Sequence, residues 1–331
     1  MTDLSMGDVR ETPPPTPSLA RSMNLAAIVV WATLTVMTLV ALACIVRYGR
    51  NIPLAEDWLL VPPMTGHEPN LASWLWAQNN EHRLPLPRLV LLGLLEVTHD
   101  FRAGMVLNVL SLAALSAAMI LTVRHLRGGI TRVSDAFFPL ALLHLGDWEN
   151  LIWGWQFQFV SSAVLICALL LVIVRQRALG LLQFAGGCAV LALAIGWGRA
   201  ATDMVSGMPM RYVVFAVPTL LASYFIWELY APPRPRRWMQ LALFVAMLAL
   251  LPWNTREGFG LPGRYDIGWR GWYVTGMTAV EQDLRDGVPR AEMASRHREF
   301  LMHWDEAKLA AGMAMLRDAH IGPFSHLPPD R

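Results

Sequence analysis

The sequence predicts an all-α, polytopic membrane protein with about seven transmembrane helices, one interfacial or re-entrant helix and a small helical C-terminal extension. Three observations predict it. Apolar residues occupy 55 % of the 331 positions and charged residues only 16 %, where a soluble domain carries roughly a quarter charged. The apolar residues gather into runs close to the ~20 residues that cross a hydrocarbon core. Tryptophans and arginines punctuate the ends of those runs, as they do at membrane interfaces.

The elements follow in order. Residues 1–22 (MTDLSMGDVRETPPPTPSLARS) are rich in Pro, Thr and Ser and predict a disordered tail. The next run is too long for the apolar region of a signal peptide and has no small-residue cleavage site, so it reads as a retained first span. Spans are expected at 24–46, 103–123, 133–145, 157–174, 178–197, 212–227 and 238–253. The third and seventh are short and extend into Trp-rich flanks. Trp148, Trp153, Trp155, Trp238 and Trp253 stand at span ends, where an amphipathic ring favours the interface. The run 84–97 (LPLPRLVLLGLLEV) is short, opens with two prolines and holds Arg88 and Glu96. It suits an interfacial or re-entrant helix better than a span.

Arginines orient this frame. If 84–97 does not cross, one side receives Arg10, Arg21, Arg124, Arg127, Arg132, Arg175, Arg177, Arg234, Arg236 and Arg237, while loops 146–156 and 198–211 hold only Arg199 and Arg211. That is the positive-inside pattern, with the N-terminus cytoplasmic and the C-terminus outside. The transmembrane core is then 23–253, with outer loops 47–102, 146–156 and 198–211. Residues 254–331 form an extracytoplasmic segment of amphipathic helices. In it Leu309, Met313 and Leu316 share a face, and Gly287-Val288-Pro289 marks a turn. A net charge of +2 is too small to argue for nucleic acid. Cys44, Cys167 and Cys188 lie in apolar runs, with neither a disulfide framework nor metal-ligand spacing.

In this topology the unusual polar clusters share the outer side. Glu56-Asp57 follows the first span; a carboxylate there can take a proton from a sugar hydroxyl or ligate a divalent cation, and equally can be a solvated loop acid. Asn79-Asn80-Glu81-His82-Arg83, with Arg88 one or two turns on, offers guanidinium forks suited to phosphate. Trp148-Glu149-Asn150 and Trp153–Gln158, with Gln156 and Gln158, combine rings with amides, as carbohydrate recognition does and as an interfacial belt also would. Arg199, Arg211 and Tyr212 sit at span boundaries, able to clamp a lipid-linked phosphate or to snorkel to head groups.

An acidic pair soon after the first span, followed by an interfacial helix, resembles the GT-C superfamily of membrane glycosyltransferases. Glu81-His82-Arg83 with Pro87-Arg88, Trp148-Glu149-Asn150 with Gly154-Trp155-Gln156, Arg211-Tyr212 and Gly322-Pro323-Phe324 are similar to bacterial multi-pass members of this kind. The resemblance implies a sugar donor linked to polyprenyl phosphate, a glycan or lipid acceptor, and a site at the outer face of the bacterial cytoplasmic membrane. Asp57 or Glu56 would be the base of an inverting transfer, and Arg83, Arg88, Arg199 and Arg211 would hold the leaving phosphate. The family commonly has more spans and a larger external domain. Two other readings stand beside it: a non-catalytic or degenerate GT-C-like protein, and a lipid or solute transporter, which would place charges or Gly/Pro breaks at mid-membrane.

Overall fold

The computed structural model describes residues 17–79, 82–176, 180, 183–184, 186–187, 213–259, 269–303 and 305–327. The longer helices are α1 (Pro17–Tyr48), α2 (Pro85–Thr98), α3 (Arg102–Leu126), α4 (Phe157–Gln176), α5 (Val213–Tyr230), α6 (Pro233–Phe259), α7 (Thr275–Arg285), α8 (Arg290–His297) and α9 (Glu306–Asp318). A two-residue antiparallel ribbon, β1 (Gln78–Asn79) with β2 (His82–Arg83), precedes α2. Four stretches are long and apolar enough to cross a membrane: Leu25–Tyr48, Arg102–Leu126, Gly154–Val174 and Pro233–Phe259. They coincide with the spans expected at 24–46, 103–123, 157–174 and 238–253. The architecture is consistent with an all-α membrane protein, in which a lipid-facing helix satisfies its backbone polar groups internally.

The run 133–145 departs from expectation. It forms a 3₁₀ turn (Val133–Ala136) and a short helix (Phe137–Leu142), followed by the turns Leu145–Asp147, Trp148–Ile152 and Gly154–Gln156. Pro139 lies within the short helix, and the segment is buried almost throughout. It threads from the C-terminal end of α3 back toward its N-terminal end, inside the bundle. A Cβ at Gly258 of α6 would collide with the carbonyl of Leu145, so only glycine permits this approach. Trp148, Trp153 and Trp155 are consequently buried, not interfacial, whereas Trp238 and Trp253 are exposed.

Two boundaries also move. Helix α1 begins at Pro17, inside the stretch expected to lack structure, with proline at a helix start where its missing N–H costs nothing. Helix α6 continues to Phe259, so Asn254, Thr255, Arg256 and Glu257 are helical, with Pro252 inside the helix. The expected span 178–197 falls mostly outside the described residues.

The two ends of the bundle differ. At one end the C-terminus of α1 meets the N-terminus of α3, where the Asn51 side chain accepts from the Phe101 amide (2.9 Å) and donates to the His99 carbonyl (2.9 Å). The start of α4 and the end of α6 join them there. Helices α7 to α9 cap this end: the Arg50 guanidinium pairs with Glu281 (3.1 Å), and the Arg50 amide donates to the Tyr273 hydroxyl (3.2 Å). Trp58 packs edge-on against Phe324 at 5.8 Å, and a Cβ at Gly312 would sit 3.1 Å from its ring. At the opposite end lie the C-termini of α3 and α5 and the N-terminus of α6.

Candidate functional site

Helix α1 ends at Tyr48, and the chain turns through Ile52, Pro53 and Leu54 into the 3₁₀ turn Ala55–Leu60. That turn points its two acids in different directions. Asp57 is buried: its Oδ1 accepts from the Trp155 amide (3.1 Å) and its Oδ2 from the Leu54 amide (3.3 Å). It closes its own turn and ties it to the Gly154–Gln156 turn ahead of α4. Gly154 lies against Gly104 of α3, where a Cβ on Gly104 would come within 2.7 Å of the Gly154 Cα. Burial pushes the Asp57 carboxyl up to about 8; the Leu54 and Trp155 amides oppose this, and the charge of Glu56 adds to it.

Glu56 instead lines a cleft of about 690 Å³ between the first loop and the C-terminal helices. One wall is Ala55, Glu56, Leu59 and Asn79; the other is Arg298, Glu299, Met302, His303, Asp305 and Lys308, around the link between α8 and α9. The Ala55 amide donates to the Leu301 carbonyl (2.9 Å), joining the walls. Ala55 (φ 49°) and Met302 (φ 53°) both hold left-handed backbone without being glycine. Such conformations cost about 1–3 kcal/mol each, persist only where surroundings over-determine them, and concentrate at functional sites. Arg298 pairs with Glu306 (2.7 Å) and Lys308 with Asp305 (3.5 Å), both near the surface, where a stronger anion can replace the partner.

The remaining expected residues scatter. Arg88 is buried, its Nη1 donating to the carbonyls of Trp74 and Ala77 (2.7 Å) and its guanidinium lying over the Trp74 ring (5.2 Å), so it holds the first loop from within and does not line the cleft. Arg83 is exposed on β2, opposite Gln78, and does not line the cleft. His82 pairs through its backbone with the cleft residue Asn79, and Glu81 lies outside the described residues, as do Arg199, Arg211 and Tyr212.

The amides form an interior seam instead of an open groove. Asn150 donates to Asp147 (2.8 Å), and its carbonyl accepts from Asn108 (2.9 Å). Gln156 is 1 % exposed. Glu149 and Gln158 are half-buried, and the Gln158 carbonyl accepts from Ser161 (3.3 Å) and Ser162 (2.7 Å). Burial pushes Asp147 up to about 8; the Asn150 amide opposes this and Glu149 adds to it.

Three cleft residues, Arg298, His303 and Lys308, had no place in the sequence reading. Lys308 carried a signal, since it is the only lysine in the chain. Among the described residues no three His, Cys, Asp or Glu side chains converge as a metal-ligand set. With Asp57 turned inward, the acidic pair does not present two carboxylates to one ion. The cleft offers three acids (Glu56, Glu299 and Asp305), one imidazole and two cations around a space large enough for a small polar ligand. No family model, curated protein or solved structure matches the chain.

Proposed function

We propose that the protein is an inverting membrane glycosyltransferase, moving a sugar from a polyprenyl-phosphate donor to a glycan or lipid acceptor at the outer face of a cytoplasmic membrane. The observation that carries this reading is the cleft, where Glu56 faces Arg298, His303 and Lys308 across the end of the bundle. Glu56 takes the proton of the acceptor hydroxyl as its oxygen attacks the anomeric carbon. The bond from that carbon to the phosphate oxygen breaks on the opposite face, and Arg298 and Lys308 balance the charge left on the phosphate. Asp57 is a positioning residue that fixes the turn carrying Glu56.

The orientation belongs to the same reading. The ends of α1 and α6 and the starts of α3 and α4 lie at the same end of the bundle as the cleft. Arg124, Arg127, Arg132, Arg234, Arg236 and Arg237 gather at the other end, which suits the cytoplasm. Seven crossings result if the run 133–145 is counted as one, made inside the bundle, and α5 and 178–197 as two more.

Purified protein in nanodiscs, offered a panel of radiolabelled polyprenyl-phosphate sugars and acceptors, tests the reading. Glu56→Gln is expected to lower transfer by about 10²–10⁴-fold with an unchanged unfolding midpoint. Asp57→Asn is expected to lower the midpoint itself. Undiminished transfer by Glu56→Gln would remove Glu56 as the base. One observation favours a transporter instead: the buried seam Asn108–Asn150–Asp147 inside the helices, polar groups of the kind that line solute paths. Solute uptake by proteoliposomes that Asp147→Asn abolishes, with no transfer across the panel, would select that reading.

A further inference from the structure

The end of the bundle away from the cleft carries a second constellation, unused by the proposed reaction. Arg127 is buried between Asp135 (2.7 Å) and Glu228 (2.6 Å). The Tyr224 hydroxyl donates to Asp135 (2.6 Å) and the Gln240 amide to Glu228 (2.8 Å). Both carboxylates are thus satisfied by groups of the interior. Arg132 and Arg236 stand at the rim, 23 % and 24 % exposed, reaching Glu228 at 3.6 and 3.3 Å.

Arg124, Arg234 and Arg237 are exposed on the same end. Among the described side chains, six arginines then face two carboxylates, a surplus of four positive charges. Burial, followed by the charges of Arg127, Arg236 and Arg237 outweighing Glu228, pushes the Arg132 guanidinium below its ordinary value. An arriving anion would relieve that repulsion. Beside Arg236 lies a cavity of about 250 Å³, bounded by Leu126, Glu228, Leu229 and Tyr230. The Arg236 Nε is a buried donor with no hydrogen-bond partner.

Apolar surface begins at the same point. Trp238 is 70 % exposed, and Met239, Leu241 and Val245 continue the exposed face along α6. A ligand suited to both features has a phosphate at one end and hydrocarbon at the other. We propose that this end of the bundle binds the phosphate of an anionic phospholipid through Arg132 and Arg236, with its acyl chains along α6. The lattice around Arg127 holds the two guanidinium groups in place, which lowers the entropy lost on binding. The proposal does not depend on the transferase reading.

Native mass spectrometry of the purified protein with added phosphatidylglycerol or phosphatidylcholine tests it. Wild type and the distant control Arg285→Gln are expected to retain phosphatidylglycerol preferentially. Arg132→Gln/Arg236→Gln is expected to bind it about 30-fold more weakly, at roughly 1 kcal/mol per arginine, with phosphatidylcholine unaffected. Equal retention by the double variant and wild type overturns the proposal, as does displacement of the lipid by millimolar inorganic phosphate, which would make this a site for free anions. Should the double variant not fold, wild type decides alone. Phosphatidylglycerol must raise its unfolding midpoint above that in phosphatidylcholine, and added salt must remove the difference; equal midpoints overturn it.

Discussion

Adjacent residues Glu56 and Asp57 show how one backbone step divides two roles. In a 3₁₀ turn successive side chains diverge, so the amides of Leu54 and Trp155 claim Asp57 while Glu56 reaches the cleft. Asp57 and Asp147 are both buried and both pushed up to about 8 from the usual carboxylate range. A carboxyl whose folded value exceeds its unfolded one stabilises the fold most below its unfolded value. That contribution is lost as pH rises through the folded value. Between about pH 4 and pH 8 stability is expected to fall with pH, by up to ~1.4 kcal/mol per pH unit for each such group. Unfolding midpoints in nanodiscs across that range check this, and a flat profile, or one that Asp147→Asn leaves unchanged, would count against it. The acids themselves were legible in the sequence as a polar pair after an apolar run. Which of them faces outward was not, because that depends on an amide of Trp155, far along the chain.

Among the elements, hydropathy alone located the helices whose surfaces meet a uniform apolar surrounding. Helices α1, α3, α4 and α6 need only length and apolar content, and both are readable locally. The run 133–145 departs from the helix its hydropathy predicts because its burial comes from neighbouring helices: buried inside protein, an irregular backbone can satisfy its polar groups through other residues. Glycines at close contacts mark the path it takes. Gly258→Ala would press a methyl group against the Leu145 carbonyl and is expected to cost about 1–3 kcal/mol. Gly93→Ala on α2, where nothing lies within 4 Å, is the matched control and is expected to be neutral or slightly stabilising. Thermal unfolding of the two variants side by side decides this; equal midpoints would mean that α6 and this segment are not tightly packed.

Taken whole, the molecule is a helical bundle with a different chemistry at each end: mixed charges and a cleft at one, a surplus of arginine at the other. Trp58 fastens the C-terminal helices to the first of these, through Phe324 and the face of α9 at Gly312. Trp58→Ala is expected to cost about 3–5 kcal/mol and to release α7 to α9 before the bundle opens. Limited proteolysis should then cut near Gly287 sooner while the membrane-length helices stay protected; an unchanged digestion pattern would show that Trp58 is not the fastening. The amphipathic pattern of these helices was visible in sequence, since Leu309, Met313 and Leu316 are all buried. Their partner was not, because contacts between residues so far apart leave no local periodicity.

The bond from the Ala55 amide to the Leu301 carbonyl sets an order of manufacture. Glu56 leaves the ribosome early and enters the membrane with the first span, long before Arg298 or Lys308 has been made. Until those residues are made the acid has no opposite wall, and the cleft does not exist. The cleft comes into being only when α8 and α9 fold back onto the first loop, so its two walls meet only after the membrane-length helices have been made.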